Sequence, residues 1–157
     1  MFRVLFVCTG NTCRSPMAEA LFNAQAKRQG LLAHAASAGV AAMPGGAASP
    51  GACDAVALRG ASLEAHRARV LTLAMLAEAD LILTMTEAHR SAILQAAPKT
   101  QGKVHVLAQY AGGAGEIEDP FGGDARAYEA CAQQLEAAVD AVCGKIAAQI
   151  CAKEERK

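Results

Sequence analysis

The sequence predicts an α/β protein, a parallel sheet with helices packed on both faces. Three observations carry this expectation. Short apolar runs of strand length alternate along the chain with segments of helical period. The strongest runs, Phe2 to Val7 and Asp80 to Thr84, show no polar alternation, as expected of strands covered on both faces. No repeat or composition break divides the 157 residues, so one domain over residues 1–157 is expected.

Each element has its own signal. After the first strand, Ser15-Pro16 offers an N-cap followed by proline at the first helical position, and Met17, Ala20, Leu21 and Ala24 continue at helical spacing to a stop at Gly30. Leu31 to Ala38 is a weaker strand ending at Gly39. Met43 to Gly51 is a loop by composition. Ala52 to Arg59 reads as a helix ending at Gly60, and Leu73 to Ala77 as a short one. Asp80 to Thr84 is the second strong strand, and Thr86 caps a helix from Glu87 to about Ala97, stopped by Pro98. Lys103 to Leu107 is a further strand. Ala111 to Gly123 is a long glycine-rich loop, a length that usually carries function. Asp124 caps the last helix, where Tyr128, Cys131, Leu135, Val139, Val142, Ile146 and Ile150 form a core-facing stripe. Loops that follow parallel strands gather at one edge of the sheet, where such folds bind ligands.

Composition narrows the function. Fifteen basic and fifteen acidic residues cancel, which disfavours a phosphate-backbone binder. There is no Trp, with only four Phe and two Tyr, which disfavours base stacking, so no nucleic-acid partner is expected. No apolar run approaches the roughly 20 residues that span a bilayer. Val4 to Val7 is too short for a signal-peptide core, so no membrane partner and a cytoplasmic location are expected. The six cysteines (Cys8, Cys13, Cys53, Cys131, Cys143, Cys151) then read as free thiols. They form no CxxC pair and the four histidines are scattered, so no metal and no cofactor are expected.

The chemistry concentrates in Cys8-Thr9-Gly10-Asn11-Thr12-Cys13-Arg14-Ser15, between a buried strand and a helix start. A loop entering a helix aims several backbone N–H groups at one point, where the helix dipole is also positive. Gly10 and Asn11 suit the left-handed backbone that a tight anion nest requires. Arg14 adds a planar fork for phosphate oxygens. The cradle has a sulfur at its mouth, and its positive field favours Cys8 as a thiolate, the reactive form. Cys53 and Arg59 repeat the C-x5-R spacing, but in a helical window with no strand before it and no glycine inside. Six residues along a helix make nearly two turns, so that pair encloses nothing and Cys53 reads as packing. Asp119-Pro120, in the long loop after the last strand, can swing over the same sheet edge, protonate a leaving group and then activate water. Taken alone it reads as an Asx-Pro turn; paired with Cys8 and Arg14 it reads as catalytic.

The stretch VLFVCTGNTCRSPMAEALF, followed in order by Ser37-Ala38-Gly39, His66-Arg67-Ala68-Arg69, Ala79 to Thr86 and Asp119-Pro120, resembles the low-molecular-weight protein-tyrosine phosphatase family over nearly the whole chain. The resemblance implies a three-layer fold with four parallel strands, and hydrolysis in two steps through a phosphocysteine. It also implies a phosphorylated protein as substrate, with phosphate or other oxyanions in the site. By position, Cys8 corresponds to the nucleophile, Arg14 to the phosphate clamp and Asp119 to the general acid and base. Ser15 corresponds to the hydroxyl that steadies the thiolate. Asn11, Ser37 and His66 correspond to the network that shapes the loop, and Cys13 to a resolving thiol able to form a reversible disulfide with Cys8. From the residues alone, Ser37 would be a turn residue and His66 a partly exposed residue at a helix end.

Two departures bear on specificity. Thr12 stands where tyrosine-specific members usually carry a bulky aliphatic residue, and Phe121 is followed by Gly122-Gly123 where they usually carry aromatic residues. CTGNTCRSP with DPFGG resembles the protein-arginine phosphatase branch, with phosphotyrosine as the alternative substrate. A hydroxyl at position 12 suits a guanidinium or a polar attacking water, and Asp119 can pair with that cation. A thiol-dependent arsenate reductase on a similar fold needs further cysteines near the site, and none lies between Cys53 and Cys131. A non-catalytic phospho-ligand module or redox sensor need not keep nucleophile, clamp and acid together.

Overall fold

The computed structural model covers residues 1–157. Its four strands are β1 (Phe2–Cys8), β2 (Ala33–Gly39), β3 (Leu81–Thr84) and β4 (Val104–Val106). They form one sheet in the order β2-β1-β3-β4, and every pairing is parallel. The helices are α1 (Arg14–Gln29), α2 (Pro50–Ala57), α3 (Leu73–Glu78), α4 (Glu87–Ala96), α5 (Leu107–Tyr110) and α6 (Ala125–Glu154). The expected α/β architecture is present. No helix is long and apolar enough to cross a membrane.

β1 is central because its sequence leaves it no exposed face: Val4, Leu5, Phe6 and Val7 are all buried. Side chains alternate across the sheet, so Phe6 joins the α1 and α6 core with Phe22, Leu135 and Ile146, while Leu5 and Val7 join Leu76, Ile82 and Ile93 on the α3 and α4 face. Ring packing of Phe6 against Phe22, centroids 6.0 Å apart and edge-on, ties β1 to α1. Along α6 the predicted stripe is buried from Tyr128 to Ile146, and Ile150 is partly buried.

The strand order fixes where the site lies. The chain leaves β1 for α1 and β2 on one side, and leaves β3 for α4 and β4 on the other. Neighbouring strands whose connections depart in opposite directions open a crevice at their carboxyl ends, here between β1 and β3.

Several local expectations are corrected. α1 opens at Arg14, with Cys13 at the N-cap position and no side-chain cap, because the Ser15 hydroxyl is engaged in the loop instead. Its end is as read, with Gly30 left-handed (φ 62°). α2 begins at Pro50 rather than Ala52, since proline fits the first turn of a helix. β4 ends at Val106, and Leu107 begins a single helical turn whose first two residues, Leu107 and Ala108, are buried. Cys53 and Arg59 diverge as expected: Arg59 reaches Glu129 (2.6 Å) and Glu136 (3.4 Å) on α6, while Cys53 Sγ faces the Ala48 carbonyl. The caps at Thr86 and Asp124 are made as read, each side-chain oxygen accepting a backbone N–H three residues on.

Candidate active site

Residues 9–13 leave β1 and curl over the end of β2 before α1 begins. Val40 N–H donates to the Cys8 carbonyl (3.0 Å) and Ala41 N–H to the Thr9 carbonyl (2.9 Å). A side chain at Gly39 would place its Cβ 2.5 Å from the Thr9 carbonyl oxygen, so only glycine lets the loop lie this close. Asn11 alone in the loop is left-handed (φ 56°). Gly10, expected to share that role, is not; a Cβ there would meet only Thr12 Oγ1, at an ordinary 3.8 Å.

Asn11 holds the loop through four hydrogen bonds made by three of its polar groups. Its Nδ2 donates to Ser15 Oγ and to Ser37 Oγ, both at 2.9 Å, and its Oδ1 accepts from Arg69 N–H at 2.9 Å. Its carbonyl lies 2.8 Å from His66 Nε2. Asn11, Ser15 and Ser37 are fully buried, and the His66 side chain is 7% exposed. Ser37 lies in β2 and His66 in no helix, so the readings of turn and helix end are replaced by this buried network. Behind it, Glu19 Oε2 lies 3.9 Å from His66 Nδ1. Burial pushes the Glu19 carboxyl up to about 7 and pushes the His66 imidazole down, so both lean toward their neutral forms.

The sulfur faces two donors. Ser15 Oγ stands 2.8 Å from Cys8 Sγ, and its oxygen already accepts from Asn11 Nδ2, so its hydrogen is directed to the sulfur. Asn11 N–H donates to the same sulfur at 3.3 Å. The amides of Gly10, Thr12, Cys13, Arg14 and Ser15 donate to no acceptor in the protein. Unpartnered N–H groups at the start of an uncapped helix form an anion cradle.

Arg14 is buried, with Nη1 donating to the Ile117 carbonyl (3.2 Å) and Nη2 lying 3.5 Å from Asp119 Oδ2. Ile117 in turn donates its N–H to the Met85 carbonyl at the end of β3, so the long loop is pinned two residues before Asp119. The Asp119 side chain is half exposed, and its Oδ1 accepts from Phe121 N–H at 3.1 Å. The Asx turn and the approach to Arg14 therefore coexist in one residue. Cys8, Thr9, Gly10, Asn11, Thr12, Cys13, Arg14, Asp119 and Phe121 line one cavity of about 200 Å³. Phe121 stands at its lip, 74% exposed. The Cys13 sulfur lies 3.2 Å from Ser49 Oγ and 3.5 Å from Tyr128 Oη.

A strand-end thiol in a loop of free amides, sharing one cavity with an arginine and an aspartate, is an arrangement that comparison can place. Residues 3–155 match the sequence profile of the low molecular weight phosphotyrosine protein phosphatases. The chain belongs to this family. Like the family's other members, this low-molecular-weight phosphatase is a cysteine-dependent hydrolase of phosphorylated proteins. It is 43% identical over 134 residues to a protein-arginine-phosphatase of Bacillus subtilis (strain 168), covering 85% of this chain and 89% of that one. It is 39% identical over 134 residues to the low molecular weight protein-tyrosine-phosphatase Wzb of Salmonella typhimurium, covering 85% and 87%. The solved structure of a YwlE arginine phosphatase, a cysteine-to-serine mutant with a phosphorylated active-site serine, superposes with a TM-score of 0.89 at 39% identity, covering 92% of this phosphatase and 95% of that chain.

Sequence reasoning missed some residues that hold this low-molecular-weight phosphatase site together. Arg69 contributes a backbone amide, Ile117 a carbonyl, and Ser49 and Tyr128 the surroundings of Cys13. Backbone groups leave no residue-type signature. His89 was missed too, although it stands in the first turn of the helix after β3, the strand beside β1.

Proposed function

We propose that the protein removes phosphate from phosphoarginine residues of proteins, with Cys8 as nucleophile. The Cys8 thiolate attacks phosphorus in line with the leaving nitrogen, the P–N bond breaks, and a phosphocysteine forms. The loop amides and the Arg14 fork hold the three equatorial oxygens. Asp119 gives its proton to the leaving guanidine and then takes one from the water that cleaves the S–P bond. The Ser15 hydroxyl, aimed at the sulfur, stabilises the thiolate as it leaves. Asn11, Ser37 and His66 keep the loop in shape.

Relatives of both specificities align at similar identity, so the choice falls to the cavity wall. The observation that carries the arginine reading is Thr12: it lines the cavity, and its hydroxyl meets no side chain beyond a weak 3.8 Å approach to Cys13 Sγ. That hydroxyl is free to meet a guanidinium N–H. Phosphotyrosine is the alternative, and the single aromatic face of Phe121 at the lip is what favours it.

The test is side-by-side hydrolysis of phosphoarginine and phosphotyrosine peptides by the wild type and by Thr12→Ile. Wild type prefers phosphoarginine. The variant loses that activity and gains, at least relatively, on the aryl ester. Removing a hydrogen-bond partner at a buried site costs about 1–3 kcal/mol, or roughly five- to two-hundredfold. An unchanged ratio between the two substrates removes Thr12 as the selector.

The same loop supports a redox role for Cys13. Peroxide oxidises Cys8 to a sulfenic acid, and attack by the Cys13 thiol gives the disulfide and releases water. The Cys13 sulfur must leave Ser49 and Tyr128 to do so. Peroxide therefore silences the enzyme and a thiol reductant restores it, whereas Cys13→Ser keeps most activity but recovers poorly. Mass spectrometry of the oxidised protein without a Cys8–Cys13 link refutes the role.

A further inference from the structure

His89 is 6% exposed and makes one side-chain hydrogen bond, from Nε2 to Thr9 Oγ1 at 2.8 Å, while its Nδ1 is buried without a partner. Arg14 from α1 and Glu116 and Asp119 from the loop before α6 are the charges that bear on the ring. Burial, and then the Arg14 cation, push the imidazole pKa below its ordinary value, so the ring is neutral near pH 7. A neutral imidazole has one hydrogen to place. On Nδ1 it would be an orphaned buried donor, the rarer and costlier kind. On Nε2 it is satisfied by Thr9, and only a lone pair is left over. The Nε2 hydrogen therefore donates to Thr9 Oγ1. The hydroxyl hydrogen of Thr9 cannot then point at the ring. Thr9 is exposed and lines the Cys8 cavity, so that hydrogen has the cavity to turn to.

We propose that His89 is a positioning residue: by donating to Thr9 Oγ1 it makes the Thr9 hydroxyl a donor directed into the Cys8 cavity, where it holds an oxygen of the bound phosphoryl group. This rests on reading that cavity as the phosphate site. His89 joins the crevice from the β3 side and Thr9 from the β1 side. Their bond couples the two edges that the strand order brings together.

Two measurements test this. The first is a long-range proton–nitrogen spectrum of the histidine rings in the wild-type protein, with His89 assigned by the signal that His89→Phe lacks. Protonation at Nε2 with a bare Nδ1 is expected, and a displaced Nε2 signal in Thr9→Val. Protonation at Nδ1 overturns the proposal. The second is kinetics with p-nitrophenyl phosphate and inhibition by inorganic phosphate. Thr9→Val and His89→Phe each lower kcat/KM about five- to tenfold and weaken phosphate inhibition to a similar degree. The double variant is no worse than the worse single one, because His89 acts through Thr9. His89→Gln, whose amide can present an N–H near the same place, recovers part of the loss. Losses that multiply in the double variant, or phosphate inhibition that does not move, overturn the proposal. If Cys8→Ser stays active, the phosphate-site reading fails by itself, while the ring spectrum still reports on His89 and Thr9.

Discussion

Cys8→Ser ends turnover and leaves the oxyanion site standing. A hydroxyl in place of the sulfur keeps the volume, and the loop is shaped by Asn11, Ser37, His66 and Arg69 rather than by the sulfur. Arg14 keeps its bond to the Ile117 carbonyl, and the loop amides stay free for an anion. What is lost is the nucleophile itself: a neutral hydroxyl attacks phosphorus poorly, and an alkoxide leaves it poorly. Turnover of p-nitrophenyl phosphate falls by about ten-thousandfold or more, the scale on which loss of a covalent nucleophile is felt. Vanadate or phosphate still binds, as calorimetry reports. Any phosphate that does transfer stays on the introduced hydroxyl and adds its mass to the intact protein. Substantial phosphatase activity in this variant refutes Cys8 as the nucleophile.

The second large effect is at Asp119, and one substitution does not suffice to read it. Asp119→Ala removes both the carboxyl proton and the Oδ1 acceptor that holds Phe121 N–H in the Asx turn. Asp119→Asn keeps an acceptor at that place and removes only the acid. A positioned general acid is worth about a hundredfold to ten-thousandfold. Both variants fall by that order on substrates with poor leaving groups, and by much less on p-nitrophenyl phosphate, whose leaving group needs little protonation. Equal losses across a leaving-group series, or an active Asp119→Asn, assign Asp119 to loop structure instead.

Most of the scaffold was legible because its signals are local. β1 and β3 are short apolar runs with no polar face, and the caps at Thr86 and Asp124 precede helices of clear period. The misreadings have one cause, a side chain or peptide recruited across the chain. Ser15 looks like an N-cap, but its hydroxyl serves Cys8 and Asn11. Ser37 and His66 look ordinary until β2 and the 60s loop carry them to Asn11, 26 and 55 residues away in sequence. His89 reaches Thr9 across 80 residues, by way of the β1–β3 pairing. Cys8 and Arg14 could be singled out because they stand at the ends of legible elements, and Asp119 because it lies in a long glycine-rich loop; the chemistry of all three is carried by the side chain. The bonds of Ile117 and Arg69 run through peptide groups, which any residue type would supply.

The amides of the loop have a thermodynamic consequence. Five N–H groups with no acceptor in the protein, beside the left-handed Asn11, do not favour the folded state. The folded chain holds this arrangement because the rest of the core outweighs it, and an oxyanion that settles there relieves it. Ligand binding and folding are therefore linked: at a hundred times its dissociation constant an oxyanion raises the stability of the whole domain by about 2.7 kcal/mol. Wherever phosphate is at hand, the product of the reaction doubles as a stabiliser of the fold that releases it.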